Sequence, residues 1–454
     1  MRTALSLAVL LATPAAAQQA PVEPTAYQRA IAAGYKATTL CSAMLIAGRK
    51  QADVEALELT GVYPEYDSLL RQLPAVVDRE LVNVEVSFDP ALPPRSASLG
   101  PKDGCMLGPI GAEGIYEMGE DDLAGLRPIG PKPADPRAWP IGDTVGKRAA
   151  DPAVTAVVDA GLAEQYGTGA RTTGIVVVKD GAIIAESYAP GFGPFVANRT
   201  WSVAKSITGT LIGIAGGMTT GAPVKMPQWS GSGDPRSAIT LDNLLRMASG
   251  LHSDTAGNRT DAIYFGGTAV DEQAPFWPIE AKPGTRFRYA NNDTLLAVYA
   301  LRQSIGDERY DDLARSTFDG IGMRNTVAEK DWRGNYILSS QVWSTARDLA
   351  RLGQLWLDDG VWQGKRILPE GWMRYMTTPS GPQPATGPGY GATLWLFGPA
   401  QDLPAGSYAA QGNRGQFVMV IPARRLVIVR RGEDPGRARF DIARFAADIA
   451  AAIR

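Results

Sequence analysis

The stretch of sequence that decides the fold is 200–210, TWSVAKSITGT, in which Ser202 and Lys205 stand three positions apart at the start of an apolar run. If this run is helical, the two side chains lie on one face about one turn apart. A serine hydroxyl is a poor nucleophile until a base takes its proton, and a desolvated, neutral lysine can be that base. The stretch therefore predicts a helix that starts with a nucleophile and its base. The alternative is an exposed helix start with a serine cap.

The composition of the chain excludes several classes of function. The chain has 454 residues, 45% of them hydrophobic, and a formal net charge of −2, so nothing indicates a nucleic-acid partner. His252 is the only histidine. A zinc site needs several nitrogen or sulfur ligands, and a Ser-His-Asp triad would have to use this one residue. We therefore predict no metal and no cofactor, and we place His252 in a loop.

The first residues and the two cysteines bear on the compartment. Residues 1–17 combine a charged start, a short apolar run and small residues before a cleavage point after Ala17, which is typical of a secretory signal peptide. An N-terminal anchor is the alternative, but the apolar run is too short to span a bilayer. We predict an exported, periplasmic or secreted protein without stable membrane insertion. In that compartment Cys41 and Cys105, the only two cysteines, are expected to form a disulfide rather than remain free thiols.

The rest of the chain divides into two modules. Residues 18–140 form an accessory region with a helix-like run at 27–45 and a strand-like piece at 81–88, and they end in a Pro-rich linker. Residues 141–454 begin with two strand-like runs on either side of Lys179-Asp180-Gly181, a hairpin turn signal. Because strand pairs occur at both ends of this module with helices between them, we predict an α+β fold. Its antiparallel sheet combines N- and C-terminal strands and is flanked by helices.

A second candidate motif is the stretch 283–291, PGTRFRYAN, just before a helical run predicted at 294–304. The hydroxyl of Tyr289 beside a lysine can relay a proton. The amide of Asn291 can anchor that lysine and donate to a substrate carbonyl. The alternative is an aromatic plug and a helix cap, which are commoner roles for these residue types.

A third candidate motif is 409–416, AAQGNRGQ, which leads into a strand. Gly412 allows a close approach of the strand edge to another backbone. That edge, at Gly412 and Asn413, can supply one N–H of an oxyanion hole, with the N–H of Ser202 as the other. The alternative is a plain glycine turn.

Together these motifs resemble those of the penicillin-recognising serine hydrolases, which include class C β-lactamases, D-alanyl-D-alanine peptidases, family VIII esterases and 6-aminohexanoate-dimer hydrolases. Ser202-Val-Ala-Lys205 matches the Ser-x-x-Lys motif of that superfamily, and Tyr289-Ala-Asn291 matches its Tyr-x-Asn motif. Residues 412–416, GNRGQ, fall where its Lys-Thr-Gly strand is expected. The resemblance covers about residues 140–454 and implies a β-lactamase/transpeptidase-like fold.

The resemblance also implies roles for the matched residues. Ser202 would be the acyl-forming nucleophile, Lys205 and Tyr289 the general base and acid around it, and Asn291 a support. The oxyanion donors would be the N–H groups of Ser202 and Asn413.

One departure from the superfamily pattern bears on the substrate. No Lys-Thr-Gly occurs and the last lysine is Lys365, so the cation that usually meets a β-lactam or peptide carboxylate is missing. Arg414 is the candidate to replace it. The form of residues 412–416 is more similar to 6-aminohexanoate-dimer hydrolases, which favours a hydrolase of small amides or esters. The alternatives are a β-lactamase or D-alanyl-D-alanine peptidase, and a catalytically silent module that binds wall fragments.

Overall fold

The computed structural model describes residues 23–102, 104–113, 130–146, 151–253 and 260–453. The predicted signal peptide, 1–17, lies outside these residues. The main sheet is antiparallel and has seven strands, and the N-terminal strand Thr172–Lys179 pairs with the C-terminal strand Leu426–Gly432. In order across the sheet, the strands are Gly389–Tyr390, Trp395–Phe397, Ser407–Gly412, Gln416–Ile421, Leu426–Gly432, Thr172–Lys179 and Ala182–Tyr188.

Both faces of the main sheet are covered by helices. Along the strand Thr172–Lys179, Ile175 and Val177 pack against two helices near the start and the end of the second module, here called the terminal helices. Val176 and Val178 pack against helices on the opposite face of the sheet. This follows from the two-residue period of a strand. The terminal helices are Pro152–Leu162 and Ile442–Ala452, and helices 203–215 and 346–357 lie on the other face. The predicted turn is present, since Asp180 and Gly181 both have positive φ.

The remaining helices of the second module lie between the strands of the main sheet in sequence. They are Leu241–Leu245, Asp261–Tyr264, Val270–Gln273, Asn291–Ile305, Asp307–Gly320 and Trp372–Thr377. Short strands at Asn198–Arg199, Val327–Ala328 and Val342–Ser344 form a three-stranded sheet, and Val361–Trp362 pairs with Lys365–Arg366. None of the helices in the described ranges has the length and apolar character needed to cross a bilayer.

The N-terminal region combines helices with a sheet of its own. Its helices are Ala26–Cys41, continued by a π-helical turn Ser42–Ile46, and then Gln51–Ala56 and Pro64–Gln72. Its antiparallel strands are Ala75–Asp78, Asn83–Val86, Arg95–Gly100 and Gly104–Leu107. One apolar core contains side chains of this region together with side chains of helices 241–245 and 291–305. The N-terminal region is therefore packed continuously against the rest of the chain.

A disulfide joins Cys41, at the end of the first helix, to Cys105 in the last N-terminal strand. The closed loop spans a sequence separation of 64 residues. In the chain-entropy model, such a cross-link lowers the entropy of the unfolded chain and stabilises the fold by about 4 kcal/mol.

We expect the unfolded, unreduced protein to show no free thiol and the reduced protein to show two, as measured by thiol titration. Reduction should lower the free energy of unfolding by about 4 kcal/mol, measured by urea denaturation. The double variant Cys41→Ala with Cys105→Ala is the control, because its stability should not respond to the reductant. Two free thiols in the unreduced protein would contradict the pairing.

Candidate active site

The helix Val203–Ala215 begins directly after Ser202, as its sequence predicts. Trp201, a bulky residue, has φ +50, and such a strained residue persists only where its surroundings hold it. The guanidinium of Arg199 lies 3.8 Å from the centroid of the Trp201 ring. Ser202 occupies the N-cap position, but its side chain makes no capping hydrogen bond. Its hydroxyl is therefore not used as a cap.

Lys205 is held against the serine at a buried position. It is 1% exposed, and its Nζ donates to Ser202 Oγ at 2.9 Å, to Asn291 Oδ1 at 2.6 Å and to the carbonyl oxygen of Ser339 at 3.0 Å. No ion pair links it to a carboxylate within the described residues. Burial lowers the pKa of Lys205 to about 7. A substantial fraction of this lysine is therefore neutral near neutral pH and able to accept a proton.

Tyr289 lies on the other side of the serine. Burial raises the pKa of Tyr289 far above its ordinary value, and the nearby Ser202 side chain offsets this only in part. The Nζ of Lys205 lies 5.0 Å from the centroid of the tyrosine ring. Trp395 packs beside that ring, with centroids 5.3 Å apart. At neutral pH Tyr289 therefore keeps its proton, which suits a group that donates one.

Asn291 fixes the lysine from the start of helix Asn291–Ile305. That helix begins three residues earlier than predicted, so Asn291 belongs to its first turn and Ala290 is the N-cap residue. The Nδ2 of Asn291 donates to Thr260 Oγ1 at 2.9 Å. This bond turns the amide so that Oδ1 faces Lys205. The predicted anchoring of the lysine by Asn291 is thus present.

The strand Ser407–Gly412 brings the third motif against the serine. A Cβ atom added to Gly412 would lie 2.3 Å from the carbonyl oxygen of Thr200 and 3.1 Å from the N atom of Ser202. Only a glycine allows this approach of two backbones. Asn413 follows in the hairpin turn, and its Oδ1 accepts from the N–H of Arg414 at 2.9 Å. Gly412 and Asn413 therefore lie in the segment beside Ser202, as the sequence predicts.

We expect Gly412→Ala to lower kcat, because the added methyl group must push the strand edge away from Ser202. Losing one oxyanion donor costs roughly 10²–10³ in rate. The variant Gly231→Ala is the control, since a Cβ there meets nothing within 4 Å. Steady-state kinetics of both variants check the prediction, and a Gly412→Ala protein with normal kcat would contradict it.

Arg414 lines the same cavity as Ser202, but its Nε and Nη2 are engaged by other protein groups. It is 6% exposed, and its Nε donates to Glu433 Oε2 at 2.7 Å. Its Nη2 donates to the carbonyl oxygens of Leu57 at 2.9 Å and Thr60 at 3.1 Å. Arg414 is thus engaged in a buried ion pair. This argues against the idea that Arg414 replaces the missing lysine as a substrate-binding cation.

A cavity of about 410 Å³ opens over Ser202. Its walls are rich in aromatic side chains, and its polar and charged residues come from several segments of the chain, including the third motif. The aromatic residues that line it are Tyr63, Trp201, Tyr264, Tyr289, Trp395, Phe417 and Phe440, and the polar and charged ones include Asn291, Ser340, Gln411, Asn413, Arg414, Asp434 and Arg439. The cavity therefore suits a small substrate with an apolar part and a hydrogen-bonding carbonyl group.

His252 lies away from this cluster. Its Nδ1 contacts Glu280 Oε1 at 2.5 Å, and its ring lies 5.2 Å from that of Trp277. It is absent from the cavity lining, as expected for a loop residue. The described residues contain no group of three or more histidine, cysteine or acidic side chains arranged to hold a metal ion.

Three supporting residues escaped the sequence analysis. Thr260 orients Asn291, the carbonyl oxygen of Ser339 accepts from Lys205, and the hydroxyl of Tyr264 contacts Ser339 Oγ. None of them belongs to a recognisable motif. The contact of Ser339 with Lys205 uses a backbone atom, which any residue type offers.

Comparisons with known proteins agree with this arrangement. A family model described as Beta-lactamase matches residues 154–452. The 6-aminohexanoate-dimer hydrolase of Paenarthrobacter ureafaciens is 26% identical over 298 aligned residues, and the match covers 58% of this chain and 73% of that protein. A solved class C beta-lactamase has a TM-score of 0.53 at 14% identity, covering 68% of this chain and 99% of its own. A penicillin-binding protein homologue from Caulobacter crescentus has a TM-score of 0.54 at 16% identity, covering 67% and 98%. The fold predicted from the motifs is confirmed.

Proposed function

Because the chain belongs to the Beta-lactamase family of serine hydrolases, we propose that it cleaves a small amide or ester through an acyl-enzyme on Ser202. The observation that carries the proposal is the 2.9 Å contact between Lys205 Nζ and Ser202 Oγ at a site where burial brings the lysine pKa to about 7. A nucleophile and a base with a suitable pKa are then in hydrogen-bond contact before substrate arrives.

In the acylation step, neutral Lys205 takes the proton of the Ser202 hydroxyl as Oγ attacks the substrate carbonyl carbon. The C–O bond forms, and the carbonyl electrons move to the oxygen, which accepts from the N–H groups of Ser202 and Asn413. When the oxyanion collapses, the bond to the leaving group breaks, and Tyr289 protonates the departing nitrogen or oxygen. The protonated Lys205 then gives the proton that it took from Ser202 to the tyrosinate, so both groups end the step in the state in which they began.

Water completes the cycle by the same route in reverse. It gives a proton to neutral Lys205 as it attacks the acyl carbonyl, and the bond to Ser202 Oγ breaks with return of a proton to the serine. Asn291 keeps the lysine in place during both steps, since its oxygen stays directed at Nζ.

The engagement of Arg414 with Glu433 supports a small amide or ester over a β-lactam or wall peptide. The relative from Paenarthrobacter ureafaciens, which is named a 6-aminohexanoate-dimer hydrolase, supports the same choice. We also propose that the protein is exported after cleavage near Ala17, which the disulfide supports because such bonds persist in oxidising compartments.

The test is mass spectrometry of the intact protein after incubation with a p-nitrophenyl ester, a linear amide dimer and a penicillin. We expect the mass of an acyl group with the ester or amide, located on Ser202 by peptide mapping. Ser206→Ala is the matched control, because Ser206 lies on the same helix and its Oγ donates to the carbonyl oxygen of Thr393. Lasting acylation by the penicillin alone would favour the β-lactamase or peptidase alternative. Absence of any adduct or turnover would favour the silent binding module.

A further inference from the structure

The N-terminal region reaches the cavity through a short segment, residues 57–63, between the helices Gln51–Ala56 and Pro64–Gln72. Tyr63 lies at the end of the segment and lines the same cavity as Ser202. Its ring stands nearly perpendicular to that of Trp201, with centroids 6.4 Å apart, and nearly perpendicular to that of Tyr35 at 6.3 Å. A side chain from outside the region matched by the family model therefore forms part of the wall beside the nucleophile.

The same segment is fastened to the turn that follows Gly412. The guanidinium of Arg414 donates to two of its carbonyl oxygens, those of Leu57 and Thr60. Arg414 itself has φ +56, in the left-handed region that residues other than glycine adopt only when their surroundings determine it. The contacts of its side chain help to hold this turn, together with the bonds that its carbonyl oxygen accepts from the N–H of Asp434 and from Gln416 Nε2.

Further contacts fix the segment on its other side. Arg49 Nε donates to Glu58 Oε1 at 3.0 Å, and both residues are buried. Burial, followed by the nearby charge of Glu433, raises the pKa of Glu58 to about 7. The N–H of Gly436 donates to the carbonyl oxygen of Gly61 at 2.7 Å. Contacts near both ends of residues 57–63 therefore hold this segment against the rest of the protein.

We propose that residues 57–63 are a working part of the active site. Arg414 is a positioning residue that couples this segment to the turn beside Ser202, and Tyr63 determines which substrate groups fit the cavity. The N-terminal region then sets both the placement of the turn and the size of the substrate. This inference rests on the proposed function, since it assigns parts of the same site.

The first test concerns Arg414. In Arg414→Lys the charge opposite Glu433 remains, but an ammonium group cannot reproduce the planar fork that reaches both carbonyls. We expect kcat, per active site counted by the acylation burst, to fall at least roughly tenfold with KM changed less than about threefold. A displaced turn weakens contacts made in the transition state more than ground-state binding.

The control for stability is the double variant Glu186→Gln with Arg347→Gln. It removes another ion pair, between the edge strand Ala182–Tyr188 and the helix Ala346–Leu357. This variant should lower Tm but keep kcat. If Arg414→Lys also lowered Tm and kept kcat, its role would be structural only and the positioning part would be overturned.

The second test concerns Tyr63. The ratio of kcat/KM values is measured for p-nitrophenyl esters of two and eight acyl carbons, and for acetates with a small and a large leaving group. We expect Tyr63→Ala to shift one of the two ratios at least roughly tenfold toward the larger group. Tyr27→Ala, an exposed tyrosine of the same region, should leave both unchanged.

If neither ratio moved in Tyr63→Ala, the specificity role would be overturned. Acylation of the wild-type protein, measured in the same assays, tests the proposed function separately. The two ideas can therefore fail independently.

Discussion

Replacing Ser202 by alanine is expected to abolish formation of the covalent adduct and to reduce turnover of the best ester or amide substrate to background. The physical reason is that the hydroxyl in contact with Lys205 is the atom that forms the acyl bond, so its removal leaves no covalent route. Intact-mass spectrometry and steady-state kinetics on Ser202→Ala measure the two effects. The variant should remain folded, because Ser202 makes no capping bond to the helix.

The stronger form of this prediction concerns two substitutions together. When residues act as one catalytic unit, the effects of their substitutions on the rate are not additive. Ser202→Ala with Lys205→Ala should therefore be scarcely slower than Ser202→Ala alone. The matched control Ser206→Ala should keep the adduct. A Ser202→Ala protein that still gained an acyl mass, or kept near-normal turnover, would remove the basis of the proposed mechanism.

Local spacing carried much of what the sequence could predict. One helical turn brings Ser202 and Lys205 together, and a tight turn at Asp180-Gly181 brings the two flanking strands together. Neither contact depends on distant parts of the chain. The helix Asn291–Ile305 begins three residues before the start that the sequence pattern predicts, residue 294. Asn291, Asn292 and Asp293 are residue types that favour turns, but here they are buried in the first turn of the helix. Tertiary contacts such as the Lys205–Asn291 bond override local propensity there.

Contacts to backbone atoms account for most of what the sequence could not predict. Lys205 uses the carbonyl oxygen of Ser339, and Arg414 uses those of Leu57 and Thr60. Any residue type presents the same carbonyl group, so these partners leave no trace in the pattern of side chains. The place of Tyr63 in the cavity wall depends on how the N-terminal region packs. Because Tyr63 is distant in sequence from Ser202, no local pattern predicts this contact.

The N-terminal region illustrates the same limit. Its boundary at residue 140 was predicted from a Pro-rich stretch, and that boundary stays a prediction. Its apolar residues pack in one core with Leu244 and Leu295. Composition alone does not indicate this interface. The alternation of apolar residues predicts which faces are buried, but not which partner covers them.

The activity of the enzyme is expected to fall as the pH drops below about 7. Lys205 must be neutral to accept the serine proton, and burial lowers its pKa to about 7. Below that pH the ammonium form dominates and cannot act as a base. Above it the rate should reach a plateau, since burial keeps Tyr289 protonated well beyond the ordinary range of tyrosine pKa values. The acidic limb of the kcat/KM profile therefore reports the titration of Lys205.

Lys205→Arg gives the sharpest test, because a guanidinium stays charged at every accessible pH and cannot take the serine proton. We expect a loss of about 10²–10⁴ in kcat/KM and disappearance of the limb near pH 7. His252→Ala is the control. It removes the only histidine of the chain, and it should keep both the rate and the limb. If His252→Ala removed the limb while Lys205→Arg retained it, the base would be the histidine, and Lys205 would serve only to hold Ser202 and Asn291 in place.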